Sequence, residues 1–374
     1  MPGTKQLPMM DIRLWLKIFF LALLISSAIV LTIITITLSE AHDFSVFYYS
    51  AKAALHGGSI YTSYGPHELP YWYFPWLAWF YIPLAYFSYD TAYAIYVGIS
   101  ILLAVSSINY LLQKFITDIS RIEKVFTFCM ILVLSWLLFR TGQMDFILLA
   151  TAVLTIHLID EGNSQFAALM IPVLLFKPHL FILFVPSALI KGKKRFLISL
   201  AFVLMALIIV SFLIIPDWPQ QMLQMLTMHG QRTDNTYWNF ATFPNMLGLQ
   251  ENLSGTANLP ITSALILIGG VVLWKLRQMD TFPYLSLALA GSLFCAPRAY
   301  AYNIPILIPA MIWLSSVLPR SFRFLFWLSA GIVSLLFHYS SGSYSIVMVV
   351  FILGTVKAYR SLPKQNEVPE IEMS

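Results

Sequence analysis

The sequence predicts an all-α polytopic membrane protein, a bundle of about 11–13 transmembrane helices with a helical first outer loop. Composition is the first observation behind this prediction. Of the 374 residues, 59% are hydrophobic and only 10% are charged, whereas soluble domains carry about 25% charged residues. The second observation is that the apolar residues form about a dozen separate segments along the chain. The third is that most lysines and arginines fall in short loops, as topology determinants do.

The apolar segments fill most of the chain, so we predict one transmembrane domain over residues 1–358 and a disordered cytoplasmic tail over 359–374. The longest polar connections are 39–72, the first outer loop, and 216–260, a large outer loop. The first apolar run is too long for a signal peptide and is predicted to be retained. The predicted segments are 14–38, 73–88, 92–112, 125–139, 146–159, 166–190, 196–215, 261–275, 282–294, 304–317, 322–337 and 344–357.

Basic residues predict the orientation. Lys5, Arg13 and Lys17 precede the first segment and place the N-terminus in the cytoplasm, and the cluster at 191–195 is cytoplasmic by the same rule. The C-terminal half then alternates cleanly and ends with a cytoplasmic C-terminus. The opposite face receives both long loops and the turns at 295–303 and 338–343.

The middle of the chain allows two topologies. Segment 166–190 contains Pro178, which disfavours helical geometry at Lys177. It is therefore either one kinked span or two short helices that meet at the outer face. The second alternative places 140–145 outside and 160–163 inside, and it requires segment 73–88 to be re-entrant. We favour it because it also places three basic residues inside, Lys114, Arg121 and Lys124.

Asp43 is the candidate catalytic residue. It follows the first apolar run and precedes a stretch dense in aromatic residues, where Tyr48 and Tyr49 offer stacking surfaces and are expected to contact substrate. A carboxylate partly shielded from water can have its pKa raised toward values useful for a general base. The alternative interpretation is an ordinary loop acid, or a cap for a helix over 44–55.

Two further ionisable residues, Lys177 and His179, lie in an otherwise apolar run. Charged groups at membrane depth are costly and are functional candidates by default. The alternatives are a lysine that reaches the interface and a histidine bonded to a backbone carbonyl. Arg298 is an isolated arginine on the predicted outer face and suits an anion, since guanidinium matches phosphate oxygens.

The remaining candidates come from turns and loops. Gln143 and Asp145 belong to the tight polar connection 140–145, which is either a simple turn or part of the site. Trp238 and Asn239, in the large outer loop, offer stacking and amide hydrogen bonding to a substrate, although ordinary loop packing is the favoured interpretation of both. No Walker A or dinucleotide glycine pattern and no zinc spacing are present, so we predict no cofactor and assign no metal. A cation site among the acids of the predicted outer face stays open, but no spacing demands one: Asp43, Glu68, Asp145, Asp217 and Asp234. The net charge of +5 lies in topological loops and does not indicate nucleic acid.

Several stretches together resemble glycosyltransferase family 87. Residues 43–51 and 55–61 resemble its first outer loop. In the same order follow Tyr73-Phe74-Pro75-Trp76, Gly142-Gln143, Phe176-Lys177-Pro178 with a basic cluster, and Pro297 before a proline-flanked helix. Order and spacing agree over roughly residues 40–320. Each motif is short, but their order on a matching hydropathy profile is fairly specific.

The resemblance implies a GT-C-like helical bundle in the bacterial inner membrane and a polyprenyl-phosphate sugar donor. It also implies transfer to a lipid or glycan acceptor and a catalytic acid that maps onto Asp43. Lys177, Arg298 and His179 are then expected to bind the donor phosphate. Family members often carry histidine in the turn after Pro297, where this chain has Tyr302 and Asn303. These two residues are expected to contact substrate.

The leading hypothesis is therefore an inverting membrane hexosyltransferase, with mannose as the first candidate sugar and Asp43 as the base. Membrane lipids are its expected surroundings. Two other classes remain open. A transporter or flippase predicts ionisable residues along a path across the membrane, whereas this sequence concentrates them at one face. A non-catalytic subunit of a glycan-assembly complex would accommodate Tyr302 and Asn303 in place of the histidine.

Overall fold

The computed structural model describes residues 42–61, 69–135, 138, 141–229, 258–296, 301–337 and 344–361. Every regular element in these ranges is a helix, so the all-α class is confirmed. The elements are α1 (His42–Leu55), α2 (Pro75–Phe80), α3 (Ile82–Ala85), α4 (Tyr89–Phe115), α5 (Arg121–Leu134), α6 (Asp145–Asp160), α7 (Ser164–Ala168), α8 (Ile171–Leu174), a 3₁₀ helix (Pro178–Phe181), α9 (Phe184–Ile214), α10 (Trp218–His229), α11 (Asn258–Lys275), α12 (Thr281–Cys295), a second 3₁₀ helix (Ala301–Leu307), α13 (Ile308–Ser315), α14 (Arg320–Phe337) and α15 (Tyr344–Ser361).

Two of the described helices, α4 and α9, are long and apolar enough to cross a membrane. Other described helices, including α11 and α12, are apolar but shorter. The first predicted segment, 14–38, lies outside the described residues. The total of about 11–13 spans and the GT-C-like arrangement therefore remain predictions.

The segment 166–190 is divided in the structure. Helices α7 and α8 and the first 3₁₀ helix occupy most of it, and α9 begins at Phe184. The division falls at Lys177, whose backbone is non-helical (φ −133°, ψ 69°) because Pro178 follows it. Segment 73–88 likewise forms only α2 and α3, both too short to span the hydrocarbon.

A second break interrupts α9 at Lys193. Its φ of 58° and ψ of −158° lie outside helical geometry, in a region that only glycine adopts easily. The break falls inside the predicted basic loop, between the segments 166–190 and 196–215. The sequence therefore located this interruption correctly, although the helix on its N-terminal side begins later than predicted.

The core is centred on α12, which is buried along almost its whole length. It packs against α6, α9, α11, α13 and α15. Ser292 fixes the start of α9 on this helix, because its Oγ accepts hydrogen bonds from the backbone N–H of Leu183 (3.0 Å) and of Phe184 (2.9 Å). These two bonds satisfy donors that a helix N-terminus otherwise leaves unpaired.

Helix α6 defines two ends of the molecule. Asp145 begins it and Asp160 ends it, so about 22 Å of helix separates the two carboxylates. At the Asp160 end, Lys114 pairs with Asp160 at 2.5 Å, and Arg323 pairs with Glu123 at 2.6 Å. These contacts join residues that lie on the cytoplasmic face in the topology with two short helices in 166–190.

Candidate active site

The Asp145 end of the bundle gathers polar side chains from four chain segments. Asp43 lies in the first turn of α1, and Asp145 is the first residue of α6. Lys177 immediately precedes the first 3₁₀ helix, and Asn303 lies in the second. Each residue stands at a helix end or a helix break, where the backbone can turn a polar side chain into an otherwise apolar bundle.

Helix α1 positions Asp43 by burying the apolar face beside it. Phe44, Phe47, Tyr48 and Ala51 are all at most 2% exposed and follow the i, i+3, i+4, i+7 pattern of an amphipathic helix. They pack α1 against α2, α3 and α4. Asp43 is left at the edge of this contact, partly buried and directed to the site.

Asp43 and Gln143 form the first contact of the site. The Gln143 Nε2 donates to Asp43 Oδ2 at 2.5 Å, and this bond fixes which end of the amide faces the acid. Gln143 is only 4% exposed, and its Oε1 is buried with no hydrogen-bond partner. A buried acceptor without a partner costs free energy, so this oxygen is suited to a donor supplied by a bound molecule.

Loss of solvent raises the pKa of Asp43 from its ordinary value of 3.8 to about 6. The positive charge of Lys177 and the bond from Gln143 lower this pKa, whereas the charge of Asp145 raises it. Burial is the largest of these effects, because an ionised carboxylate in an apolar setting lacks the hydration that stabilises it in water. The value is in the range of a general base that works near neutral pH.

Asp145 organises the second set of contacts. It is fully buried, and its two oxygens accept from Lys177 Nζ at 2.7 Å and from Asn303 Nδ2 at 2.6 Å. Its position at the N-terminus of α6 adds the favourable helix dipole. Lys177 also lies over the ring of Tyr302, 4.7 Å from the ring centroid. The buried charges are therefore paired and packed, as low-dielectric surroundings require.

The structure brings together six of the sequence candidates: Asp43, Gln143, Asp145, Lys177, Tyr302 and Asn303. Lys177, predicted to bind the donor phosphate, is held by Asp145. His179 lies half-buried in the first 3₁₀ helix. Tyr48 and Tyr49 lie further along α1, away from this cluster. Arg298, Trp238 and Asn239 lie outside the described residues.

Gly142 is a site residue whose role the sequence did not indicate. Its φ is +71°, and a Cβ atom there would lie 2.8 Å from the Cβ of Phe44. The glycine thus lets the turn before α6 approach the first turn of α1, which brings Gln143 within reach of Asp43. The available signals were its place in a short polar turn before an apolar segment and its part in the Gly142-Gln143 stretch that resembles the family.

The described residues contain no group of three or more histidine, cysteine, aspartate or glutamate side chains that could hold a metal ion. The comparisons with known proteins add a family assignment. The family model described as glycosyltransferase family 87 matches residues 71–299. This range includes Gln143, Asp145 and Lys177, whereas Asp43 and Asn303 lie outside it. No curated protein and no solved structure matches the chain significantly.

Proposed function

Because the chain belongs to glycosyltransferase family 87, and is thus a membrane glycosyltransferase, we propose the following reaction. A hexose, with mannose as the first candidate, is transferred from a polyprenyl-phosphate donor to a lipid or glycan acceptor on the outer face of the bacterial inner membrane. The reaction inverts the configuration of the anomeric carbon, and Asp43 is the general base. The observation that carries this proposal is the Asp43 carboxylate itself, held by Gln143, with a pKa near 6.

Asp43 takes the proton of the acceptor hydroxyl. The acceptor oxygen forms a bond to the anomeric carbon of the sugar, and the bond from that carbon to the phosphate oxygen breaks. The electron pair of the broken bond stays on the lipid phosphate, which leaves with one more negative charge. Since attack and departure occur on opposite sides of the carbon, a β-linked donor gives an α-linked product.

Gln143 supports this step in two ways. Its Nε2 holds Asp43 Oδ2, which leaves the other carboxylate oxygen for the acceptor proton. Its unpartnered Oε1 is a buried acceptor at the same place, suited to a second hydroxyl of a sugar ring. A site built to hydrogen-bond a substrate hydroxyl discriminates strongly against an analogue that lacks it.

Lys177 is the described cation that acts on the departing phosphate. Positive charge fixed in a water-poor site stabilises negative charge that develops during the reaction. Asp145 holds the ammonium group at 2.7 Å and orients it, and Asn303 holds the second oxygen of Asp145 at 2.6 Å. In this arrangement Asn303 is a positioning residue that acts through Asp145.

Asp43→Asn tests the proposal. General-base catalysis contributes about 10²–10⁴-fold, so transfer of labelled hexose from polyprenyl-phosphate mannose to membrane glycolipids should fall by at least about a hundredfold. Asp90→Asn is the matched control, because Asp90 is an exposed acid in the first turn of α4. Transfer by the Asp43 variant at the rate of the wild type would exclude Asp43 as the base. The same assay with polyprenyl-phosphate glucose as the donor shows which of the two sugars is transferred.

The same assay addresses the two other classes. A transporter needs ionisable groups along its path, whereas these ion pairs among the described residues stand at the two ends of α6. A non-catalytic subunit needs a partner for turnover. Transfer by the purified protein alone would exclude it.

A further inference from the structure

An open cavity of about 820 Å³ lies beside the C-terminal half of α1. One wall is α1 and the other is the loop that joins α3 to α4. Its chemistry is set by four tyrosines, one lysine and one histidine: Tyr48, Tyr49, Tyr86, Tyr89, Lys52 and His56. We call this space the α1 cavity. Its lining contains none of the six residues of the candidate active site, Asp43 included.

The aromatic side of the α1 cavity is built before any ligand arrives. The rings of Tyr49 and Tyr89 stack at 18° with centroids 6.0 Å apart. Tyr48 stands perpendicular to both, and its hydroxyl donates to the carbonyl of Phe87 at 2.8 Å. This bond ties the α3–α4 loop to α1. The cavity is therefore preorganised, which lowers the entropy cost of binding.

Tyr86 supplies an exposed ring in the same lining. It is 71% exposed, a large fraction for an aromatic side chain that also contributes to a cavity. The face of an aromatic ring is electronegative, and the C–H groups on one face of a pyranose are weakly electropositive. An exposed tyrosine at a polar cavity is thus suited to stacking on a sugar ring.

Lys52 and His56 add a basic group to this wall. Lys52 lies in the last turn of α1 and His56 directly follows the helix, and both are exposed. The Lys52 Nζ lies 5.7 Å from the centroid of the Tyr48 ring and forms no ion pair with a carboxylate of the described residues. A cation in the last turn of α1 complements the helix dipole, but the dipole does not account for a cavity walled by tyrosines.

We propose that the α1 cavity binds the anionic saccharide portion of the acceptor. A sugar ring stacks on Tyr86 and the neighbouring tyrosines, and a phosphate or carboxylate of the same molecule binds Lys52 and His56. The identity of this ligand as acceptor rests on the proposed transferase function. The shared chemistry is a negatively charged saccharide, and a bulk anionic lipid headgroup is the competing source of negative charge.

The position of the α1 cavity relative to Asp43 supports the assignment to the acceptor. Nine residues of one helix separate Asp43 from Lys52, which is about 13 Å along the axis. The ring of Phe44, next to Asp43, lies 5.5 Å from Tyr89, which lines the cavity. An acceptor with its reacting hydroxyl at Asp43 and its anionic group at Lys52 is therefore longer than a single hexose.

Binding of mannose 6-phosphate tests this proposal without any turnover. The full-length protein is placed in phosphatidylcholine nanodiscs, and saturation-transfer NMR compares mannose 6-phosphate, mannose and inorganic phosphate. The wild type should bind mannose 6-phosphate more tightly than either fragment. Lys52→Gln should weaken that binding about fivefold, the effect of one exposed ion pair, and leave mannose unaffected. Tyr86→Ala should remove saturation transfer to the sugar protons.

Lys194→Gln is the control, since Lys194 is an exposed lysine that does not line this cavity. Unchanged mannose 6-phosphate binding in both Lys52→Gln and Tyr86→Ala would overturn the proposal. Discs that contain phosphatidylglycerol separate the two sources of charge. Retained affinity supports a saccharide site, whereas loss of mannose 6-phosphate binding there assigns the cavity to bulk lipid and overturns the proposal.

The outcome is also separate from that of the transferase assay. If the wild type transfers hexose but neither Lys52→Gln nor Tyr86→Ala changes the binding of mannose 6-phosphate, the saccharide site is disproved and the transferase function stands. If binding of mannose 6-phosphate depends on Lys52 and Tyr86 but the protein transfers no hexose, the cavity is a saccharide site and is not the acceptor site of a transferase.

Discussion

At the residue scale, the environment of Asp43 predicts the pH dependence of the reaction. Burial raises its pKa to about 6 from an ordinary 3.8, and only the ionised carboxylate can accept a proton. Activity should therefore be present above about pH 6 and fall as the pH drops through that value. The measurement is kcat/KM for hexose transfer against pH. A rate that stays level down to about pH 4 would show that ionisation of Asp43 does not control the pH dependence.

Gln143→Leu refines the same measurement. The bond from Gln143 lowers the pKa of Asp43, so its loss should move the inflection to higher pH. A variant that merely damaged the fold would lower the rate at every pH without moving the inflection. The direction of the shift thus separates a positioning residue from a structural one.

Gly142 predicts a second effect at this scale. Gly142→Ala adds a Cβ in a backbone with φ of +71° and places it 2.8 Å from the Cβ of Phe44. The first turn of α1 must then move away, and Asp43 loses Gln143. We expect transfer to fall at least about tenfold, since small displacements at a catalytic group are costly. Stability should also fall, by about 1–3 kcal/mol for the strained backbone alone.

Gly162→Ala is the matched control for this substitution. Gly162 has a similar φ of +77°, but a Cβ there meets nothing within 4 Å. It therefore shares the backbone strain of Gly142→Ala and lacks the contact with Phe44. Equal losses of transfer in the two variants, measured by the same assay, would mean that the close approach to α1 has no catalytic role.

The sequence identified the residues of the site but did not show which of them form hydrogen bonds or ion pairs with one another. Asp43 and Lys177 were recognisable because a charged group beside an apolar run is costly. The bond from Asn303 to Asp145 joins residues 158 positions apart, and only the packing of the second 3₁₀ helix against α6 brings them together. Charge pairing of this kind depends on tertiary structure, which a hydropathy pattern does not contain.

At the element scale, Arg323 joins α14 to α5. It is 3% exposed, and its guanidinium donates to Glu123 at 2.6 Å and to Asp118 at 3.0 Å. Ser120 caps α5 by accepting from the backbone N–H of Glu123. Arg323→Met leaves Glu123 buried with only Arg320, at 3.4 Å, as a partner. Removing one member of a buried pair costs about 3–5 kcal/mol.

Thermal unfolding in detergent measures this cost. Arg323→Met should lower the Tm clearly, and Arg323→Met combined with Glu123→Gln should recover most of the loss, because no buried charge is then left alone. Arg121→Met is the control, since Arg121 is an exposed arginine at the start of α5. A double variant as unstable as the single one would show that Arg323 acts through packing instead of charge.

Helix boundaries show what an apolar pattern can predict. Segments 282–294 and 322–337 were predicted, and the helices are α12 (Thr281–Cys295) and α14 (Arg320–Phe337). The apolar pattern alone does not show the subdivision of 166–190. Pro178 predicted a break at Lys177, and the structure divides the segment there, because a proline cuts a continuously apolar run. Hydropathy measures where the chain avoids water and does not report where its backbone hydrogen bonds are interrupted.

At the scale of the whole molecule, charge is segregated to the two ends of the bundle. Asp43, Asp145 and Lys177 lie at one end, and Asp160 with Lys114 lies about 22 Å away along α6. The basic residues predicted this division, because their loops alternate along the chain. Which end faces out follows from the positive-inside rule alone and remains a prediction.

Cysteine labelling measures this orientation directly. The two native cysteines, Cys129 and Cys295, are buried, and Cys295 donates to the carbonyl of Leu265, so an impermeant maleimide should react with them poorly. His56→Cys introduces a thiol at the exposed residue that follows α1, and Lys194→Cys does so in the basic cluster 191–195. In intact cells the thiol at 56 should be labelled, whereas the thiol at 194 should be labelled only after permeabilisation. The reverse pattern would place Asp43 on the cytoplasmic face, where nucleotide sugars are available and a lipid-borne donor is unnecessary.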